Sequence, residues 1–317
     1  MKVRVIEPRG DYAALWNELA AASEHSCFWA TPLWVNAIAS AYGWKPVLFV
    51  ADAGEHRLLL PSVRVKTVLT FGSYISFPLG YGSVLSDVEL DEDLLTDFFS
   101  SLSGLTVTSV VANLPPSHPV PRAGDCMSVE RGYTHILHLA TSVDDVVSGF
   151  SAKCRWRVRR AERAGLVCER PDAARGLEFL RGIYDRWVEF KRPERRYPSK
   201  LFEAIASFPE DVVRVFVASA HGTHVAALLN FVWKDEVYNF IAVDVRTEQA
   251  RGAVNLLHYC AIRDAVEAGA KSYIFGESLG IRSLEAFKES FGAQRADVFS
   301  VVVEGRAYAN LKRLLGV

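Results

Sequence analysis

Apolar residues recur at helical spacing in some stretches and alternate in others, and the two periods sort the chain into elements. In the first half, Leu15, Trp16 and Leu19 put a helix near 11–23, and a second helix is predicted over 31–42. Strands are expected near 46–53 and 57–67, then a helix over 91–103 and a strand at 106–112. A glycine- and aromatic-rich stretch that includes Tyr74 and Tyr81 lies between them. Pro115, Pro116, Pro119 and Pro121 mark a loop, because proline fixes φ and removes a donor. The second half is expected to open with a strand around His135–Leu139 and helices at 143–165 and 173–190. A strand at 236–243, a helix at 252–268, a strand at 272–275, a helix at 282–290 and a strand at 297–304 follow. Helices interleaved with an antiparallel meander and a closing β-α-β unit predict an α/β chain with a mixed sheet covered by helices.

An internal repeat sharpens that picture. Ala37-Ile38-Ala39-Ser40 recurs as Ala204-Ile205-Ala206-Ser207, and at the same offset Phe49-Val50-Ala51-Asp52-Ala53 meets Phe216-Val217-Ala218-Ser219-Ala220. One residue of slippage later, Gly54-Glu55-His56 meets Gly222-Thr223-His224. Each copy reads as helix, strand, glycine turn, strand, which points to a duplicated domain. The division expected is 1–133 and 134–317.

Composition narrows the function classes. With half of its 317 residues hydrophobic and 23% charged, the chain has a globular balance. A formal net charge of −1 gives no global attraction to nucleic acid or anionic membrane, so any such contact needs a local basic patch. No apolar run suits a signal peptide or a membrane span. Five widely spaced cysteines without a C-x-x-C pair read as reduced thiols, and a cytoplasmic protein is expected. The eight histidines show no metal-ligand spacing, so no metal is expected.

Four segments could carry chemistry. Between Lys153 and Arg163 six cations crowd one helix, with Lys153, Arg157 and Arg160 on a shared face, as if to meet phosphates. The same run also reads as a solvated helix. Gln249-Ala250-Arg251-Gly252-Ala253-Val254 precedes a long helix. There glycine allows close backbone approach, and free N–H groups at the helix start, up to Asn255, bind pyrophosphate. An ordinary glycine near a helix start gives the same letters. Gly276-Glu277-Ser278-Leu279-Gly280 satisfies G-x-S-x-G between a strand and a helix. The last histidine, His258, lies upstream of Ser278, so a hydrolase triad in that family's chain order is not expected. In Ser283–Ala293, Phe287 and Phe291 should face the core with Gly292 as cap, leaving Lys288 at the margin of that face. Tyr238 and Asp244 bracket a predicted strand.

Taken in order, the basic run ending Arg159-Arg160-Ala161-Glu162-Arg163-Ala164-Gly165, the stretch His258–Gly269, and Phe275-Gly276-Glu277-Ser278 leading to Phe287-Lys288-Glu289-Ser290-Phe291-Gly292 resemble the FemAB group of transferases. These are tandem GNAT-fold proteins related to peptidoglycan interpeptide-bridge ligases. Pro78-Leu79-Gly80-Tyr81-Gly82-Ser83 resembles a glycine–tyrosine segment of such proteins. The likeness covers about residues 140–300, and the long helical-hairpin arm of some aminoacyl-tRNA-dependent members has no counterpart here.

The resemblance implies two tandem GNAT-like domains, with aminoacyl or acyl transfer to an amine, such as that of a cell-wall or polysaccharide precursor. No permanently bound cofactor is expected; acyl-CoA or aminoacyl-tRNA would be the co-substrate. Lys288 would neutralise donor phosphate or an oxyanion, and Glu277 would position or deprotonate the amine. Gln249, Arg251, Gly252, Ala253 and Asn255 would hold the donor. Lys153, Arg157 and Arg160 would face tRNA phosphates or an anionic nucleotide- or lipid-linked acceptor, and Tyr74, Tyr81, Tyr238 and Asp244 would line the acceptor cleft. Two other classes stay open: a non-catalytic GNAT-like module that binds a nucleotide-linked or polysaccharide ligand, and a nucleic-acid binder using the basic helix, which the neutral net charge disfavours.

Overall fold

The computed structural model of the chain describes residues 1–76, 79–116, 118–193 and 196–315. Pro78, which begins the glycine–tyrosine segment, lies outside them. The chain forms two compact units, Met1–Tyr133 with Asp297–Val317, and Thr134–Ala296.

In chain order the elements are β1 (Val3–Ile6), α1 (Asp11–Ala22), α2 (Pro32–Tyr42), β2 (Lys45–Ala53), β3 (His56–Val68), β4 (Phe71–Ile75), β5 (Leu85–Ser86), α3 (Glu92–Leu102), β6 (Val107–Leu114) and β7 (Met127–His138). They continue with α4 (Val143–Ser148), α5 (Ala152–Arg163), β8 (Leu166–Glu169), α6 (Ala173–Lys191), α7 (Ser199–Ile205), β9 (Val213–Ala220), β10 (Thr223–Trp233) and β11 (Glu236–Asp244). The chain ends with α8 (Ala253–Glu267), β12 (Ser272–Glu277), α9 (Arg282–Glu289), β13 (Gln294–Glu304) and α10 (Arg306–Leu315).

In the first unit β1, β2, β3 and β4 form an antiparallel meander, β4 pairs in parallel with β6, and β6 pairs antiparallel with β13. In the second, β8, β9, β10 and β11 repeat the meander, β11 pairs in parallel with β12, and β12 pairs antiparallel with Thr134–His138 of β7. The two units therefore share one topology, and the repeated letters fall on matching elements: α2 and the end of α7, then β2 and β9, then the turns into β3 and β10. The closing strands differ from the order of the chain. The partner of β6 in the first unit is β13, so residues 297–317, expected in the second half, belong to the first. The reason is edge pairing: β6 offers an open ladder to a strand whose Val301 and Val303 are fully buried in that unit's core.

The helix expected over 143–165 is broken. Ser151 caps α5 by accepting from the Cys154 N–H at 3.1 Å, and its own N–H donates to Ser290 O at 2.9 Å. The break brings the Gly149 carbonyl against Gly292, where φ is +81° and an added Cβ would stand 3.1 Å from that oxygen. Strand β8 and helix α10 were absent from the expected elements. The core of the second unit is seated on α8, with Phe291 fully buried against Phe150, Phe275 and Phe287.

Helix α6 crosses β9 closely. A Cβ on Gly176 would sit 2.7 Å from Val215 Cβ, whereas one on Gly182 of the same helix meets nothing within 4 Å. We expect Gly176→Ala to destabilise the protein by about 1–3 kcal/mol through overpacking. Gly182→Ala should stabilise it by about 0.5–1 kcal/mol by removing backbone freedom from the unfolded chain. Denaturant midpoints of the two variants check the opposite signs.

Candidate functional site

The site is built around a fork in the second unit. β11 and β12 pair over three positions only, Glu236 with Ser272, Val237 with Tyr273 and Tyr238 with Ile274. Both strands then continue, to Asp244 and Glu277, without pairing to each other. Each is bulged just past the last pair. Phe240 is the extra residue of β11 against β10, and Phe275 is the extra residue of β12 against β7, followed by Gly276 at φ +77°. Bulges bend strands and increase their twist, which parts the two here.

Helix α8 follows β11. Its cap, Gly252, has φ +88°, and a Cβ there would lie 3.3 Å from Ala161 Cβ and 3.4 Å from Arg157 O, so α5 packs directly against this turn. The first N–H groups of α8, those of Ala253, Val254 and Asn255, have no carbonyl one turn back to receive them. Asn255 is buried, with its side-chain amide turned to the Cys154 thiol of α5. A helix N-terminus without a side-chain cap suits an anionic ligand such as the pyrophosphate of an acyl-CoA. On α5, Cys154, Val158 and Ala161 are buried, Lys153 and Arg160 are exposed, and Arg157 is half-buried. Among the described residues none of these three cations has a carboxylate partner; Arg160 instead lies over the exposed Trp156 ring at 5.3 Å. Arg155, by contrast, donates to Ser148 O at 3.0 Å and holds the α4–α5 break.

Lys288 of α9 is buried, and its Nζ donates to Gly276 O at 2.7 Å and Glu277 O at 2.8 Å, both at the end of β12. The spacing that put it at the margin of the aromatic face places it instead beneath the strand end, because the bulge turns those two carbonyls toward α9. An ammonium has three donors, so one is left after these two bonds. Burial pulls Lys288 down to about 8, against the charges of Glu277 and Glu285. The Glu277 side chain is open to solvent, yet partial desolvation by its surroundings pushes its carboxyl up while the Lys288 charge pulls it down. Lys288 thus touches Glu277 through the main chain.

Other expected residues go elsewhere. Gln249 and Arg251 are exposed in the turn before α8, and Arg251 pairs with Glu248 at 3.4 Å. Ala253 is fully buried. The four residues expected to line an acceptor cleft are otherwise engaged. Tyr74 packs in the first unit's core against Phe49, with ring centroids 5.1 Å apart, and Tyr81 is buried in the same unit. Tyr238 is buried and donates its hydroxyl to Glu236. Asp244 spends Oδ1 on the Arg246 N–H at 3.0 Å and Nε at 3.1 Å. The first unit also holds an open groove of about 560 Å³, lined by Lys66, Ser73, Thr108, Asp125, Cys126 and Glu304, and by none of the expected site residues.

The structure adds a cluster that chain order concealed. Ser278 Oγ is 3.5 Å from His135 Nδ1, and His135 Nε2 is 3.7 Å from Glu289. His135 lies far upstream of the serine and arrives from β7 through sheet pairing. Triads occur in any chain order, so order alone was a poor filter. Ser278 is nonetheless closed to solvent at 1% exposure, and burial together with the Lys288 charge keeps His135 lowered. The cluster braces the β12–α9 turn and offers no accessible nucleophile.

The family of the acetyltransferase (GNAT) domain matches residues 148–311. Among solved structures the chain is similar to FemX, with TM-score 0.69 and 12% identity over 100% of both chains. It is also similar to a conserved protein of unknown function from Bacteroides thetaiotaomicron VPI-5482 (TM-score 0.64, 12% identity, 92% of this chain and 96% of that one) and to L-PGS from Bacillus licheniformis (TM-score 0.55, 13% identity, 98% of each). At such identities these likenesses show the fold, which is that of a FemAB-like tandem GNAT protein. No curated protein matches the chain. Among the described residues no helix is long and apolar enough to cross a membrane.

The buried Lys288 makes a pH prediction. Its folded value near 8 lies below the ordinary 10.5, so between those values the unfolded chain binds more protons. The cost of burying the ammonium is fully present below pH 8 and is relieved as pH rises toward 10.5. Wild-type Tm should therefore rise relative to that of Lys288→Met across this window. Parallel Tm–pH curves for the two proteins would contradict it.

Proposed function

The chain belongs to the GNAT acetyltransferase family, and on that premise we propose that it transfers an acyl or aminoacyl group from an activated donor, an acyl-CoA or an aminoacyl-tRNA, to an amine. The observation that carries this reading is the fork of β11 and β12, with the uncapped start of α8 following one strand and the Lys288 ammonium seated at the end of the other. The fork leaves main-chain donors and acceptors without strand partners, as a ligand with amide or carbonyl groups requires. The α8 start and Lys153, Arg157 and Arg160 of α5, which have no carboxylate partner among the described residues, supply the anion-binding end.

The chemistry needs no covalent enzyme intermediate. The acceptor nitrogen attacks the carbonyl carbon of the thioester or ester, a C–N bond forms, the C–S or C–O bond breaks, and the amine loses a proton. Lys288 would stabilise the oxyanion of the tetrahedral intermediate, the charge that appears only along the reaction path. Its third N–H is the one left for that role. Glu277 would take the proton from the amine, and the desolvation that raises its carboxyl makes it a better base than an ordinary glutamate. A deeply buried ammonium and a raised carboxyl at one strand end favour catalysis over a non-catalytic binding module, since shifted groups of this kind concentrate at active sites.

Lys288→Ala is expected to lower turnover by about 100-fold or more with the fold intact, measured with acetyl-CoA and with aminoacyl-tRNA as donors and a primary amine as acceptor. An unchanged rate would remove the lysine from the reaction.

A further inference from the structure

Four polar side chains are joined in the core directly beneath the fork. Tyr273 OH donates to Asn230 Oδ1 at 3.3 Å, and Asn239 Nδ2 donates to the same oxygen at 3.0 Å. His258 Nδ1 lies 3.0 Å from the Tyr273 hydroxyl oxygen. Because that hydroxyl gives its proton to Asn230, the imidazole must donate from Nδ1, and burial holds His258 neutral by pulling it down to about 3. His258, Tyr273 and Asn230 are 2% exposed or less. Polar groups are costly in a core unless every donor and acceptor is matched.

Asn230 Nδ2 is buried without a partner. Asn239 is half-buried, and after its amide nitrogen has been spent on Asn230 its Oδ1 receives no hydrogen bond among the described residues. Asn239 is the first residue of β11 past the last pair with β12, and Phe240, the bulged residue, follows it. The relay thus fixes which way the Asn239 carboxamide faces, with its nitrogen inward and its oxygen left over.

We propose that Asn239 reads the donor at the base of the fork, its Oδ1 accepting an N–H of the ligand. Such an N–H is chemistry shared by the amides of a pantetheine arm and by the α-amino group of an aminoacyl ester. Asn239 would touch the ligand; Tyr273 and His258 act through it as positioning residues. This inference rests on the transfer reading above, because it assumes that the fork seats the donor.

The test is calorimetric titration of the full-length protein with acetyl-CoA and, separately, with aminoacyl-tRNA, for wild type, Asn239→Ala and Tyr273→Phe, with Tm recorded for each. Asn239→Ala should raise the Kd of the bound donor by about tenfold, the loss of one hydrogen bond, with little change in Tm. Tyr273→Phe leaves a buried group unmatched, so it should lower Tm more and raise Kd less. The donor whose Kd depends on Asn239 identifies which of the two sources the relay reads. If wild type binds a donor and Asn239→Ala binds it equally well, or if Tyr273→Phe weakens binding more than Asn239→Ala does, the relay is structural and the inference fails while the transfer reading stands. If wild type binds neither donor, the transfer reading fails and takes this inference with it.

Discussion

The second unit depends on one failure of pairing. The parallel pair of β11 and β12 stops after three residues, where both partners are bulged, at Phe240 and at Phe275. The polar groups of the site are placed by that event. The Phe275 bulge and the left-handed Gly276 turn two carbonyls onto Lys288, and the Phe240 bulge leaves Asn239 at the edge of a buried relay. Beyond β11, Gly252 sets the start of α8 against α5 in a conformation that few other residues adopt.

Holding the fork open has an energetic counterpart in what surrounds it. Phe150, Phe275, Phe287 and Phe291 form an aromatic wall on the α9 side, with neighbouring ring centroids about 5 to 6 Å apart. Removing a fully buried ring of this kind costs about 3–5 kcal/mol. Ser278, His135 and Glu289, with Arg295 bonding Glu289 at 3.1 Å, tie the same turn from its other side.

Much of the fold was legible because it is written twice. Ala37–Ser40 and Ala204–Ser207, with the strands after them, mark equivalent elements of the two units, and regular periodicity located most helices and strands. The destination of the last strand was not legible, since β13 carries no signal that says which sheet edge receives it. The break at Gly149–Ser151 was hidden by helical periodicity on both sides, and it depends on the Ser290 carbonyl far away in sequence. Within the site, Gly252 and Lys288 stood out as a glycine before a helix and a lysine beside an aromatic pair. Tyr74, Tyr81 and Tyr238 misled because an aromatic beside a glycine or a strand end fits a core as well as a cleft. Asn230, Asn239 and Tyr273 gave no signal at all: their meaning comes from bulges and cross-strand register, which single-residue patterns do not encode.

The most direct test of the fork as the donor seat is amide hydrogen exchange with and without saturating acetyl-CoA or aminoacyl-tRNA. Slowed exchange in peptides covering 239–244 and 252–256, with the rest of the second unit unchanged, is the result this account requires. Binding accompanied by protection confined to other segments would contradict it.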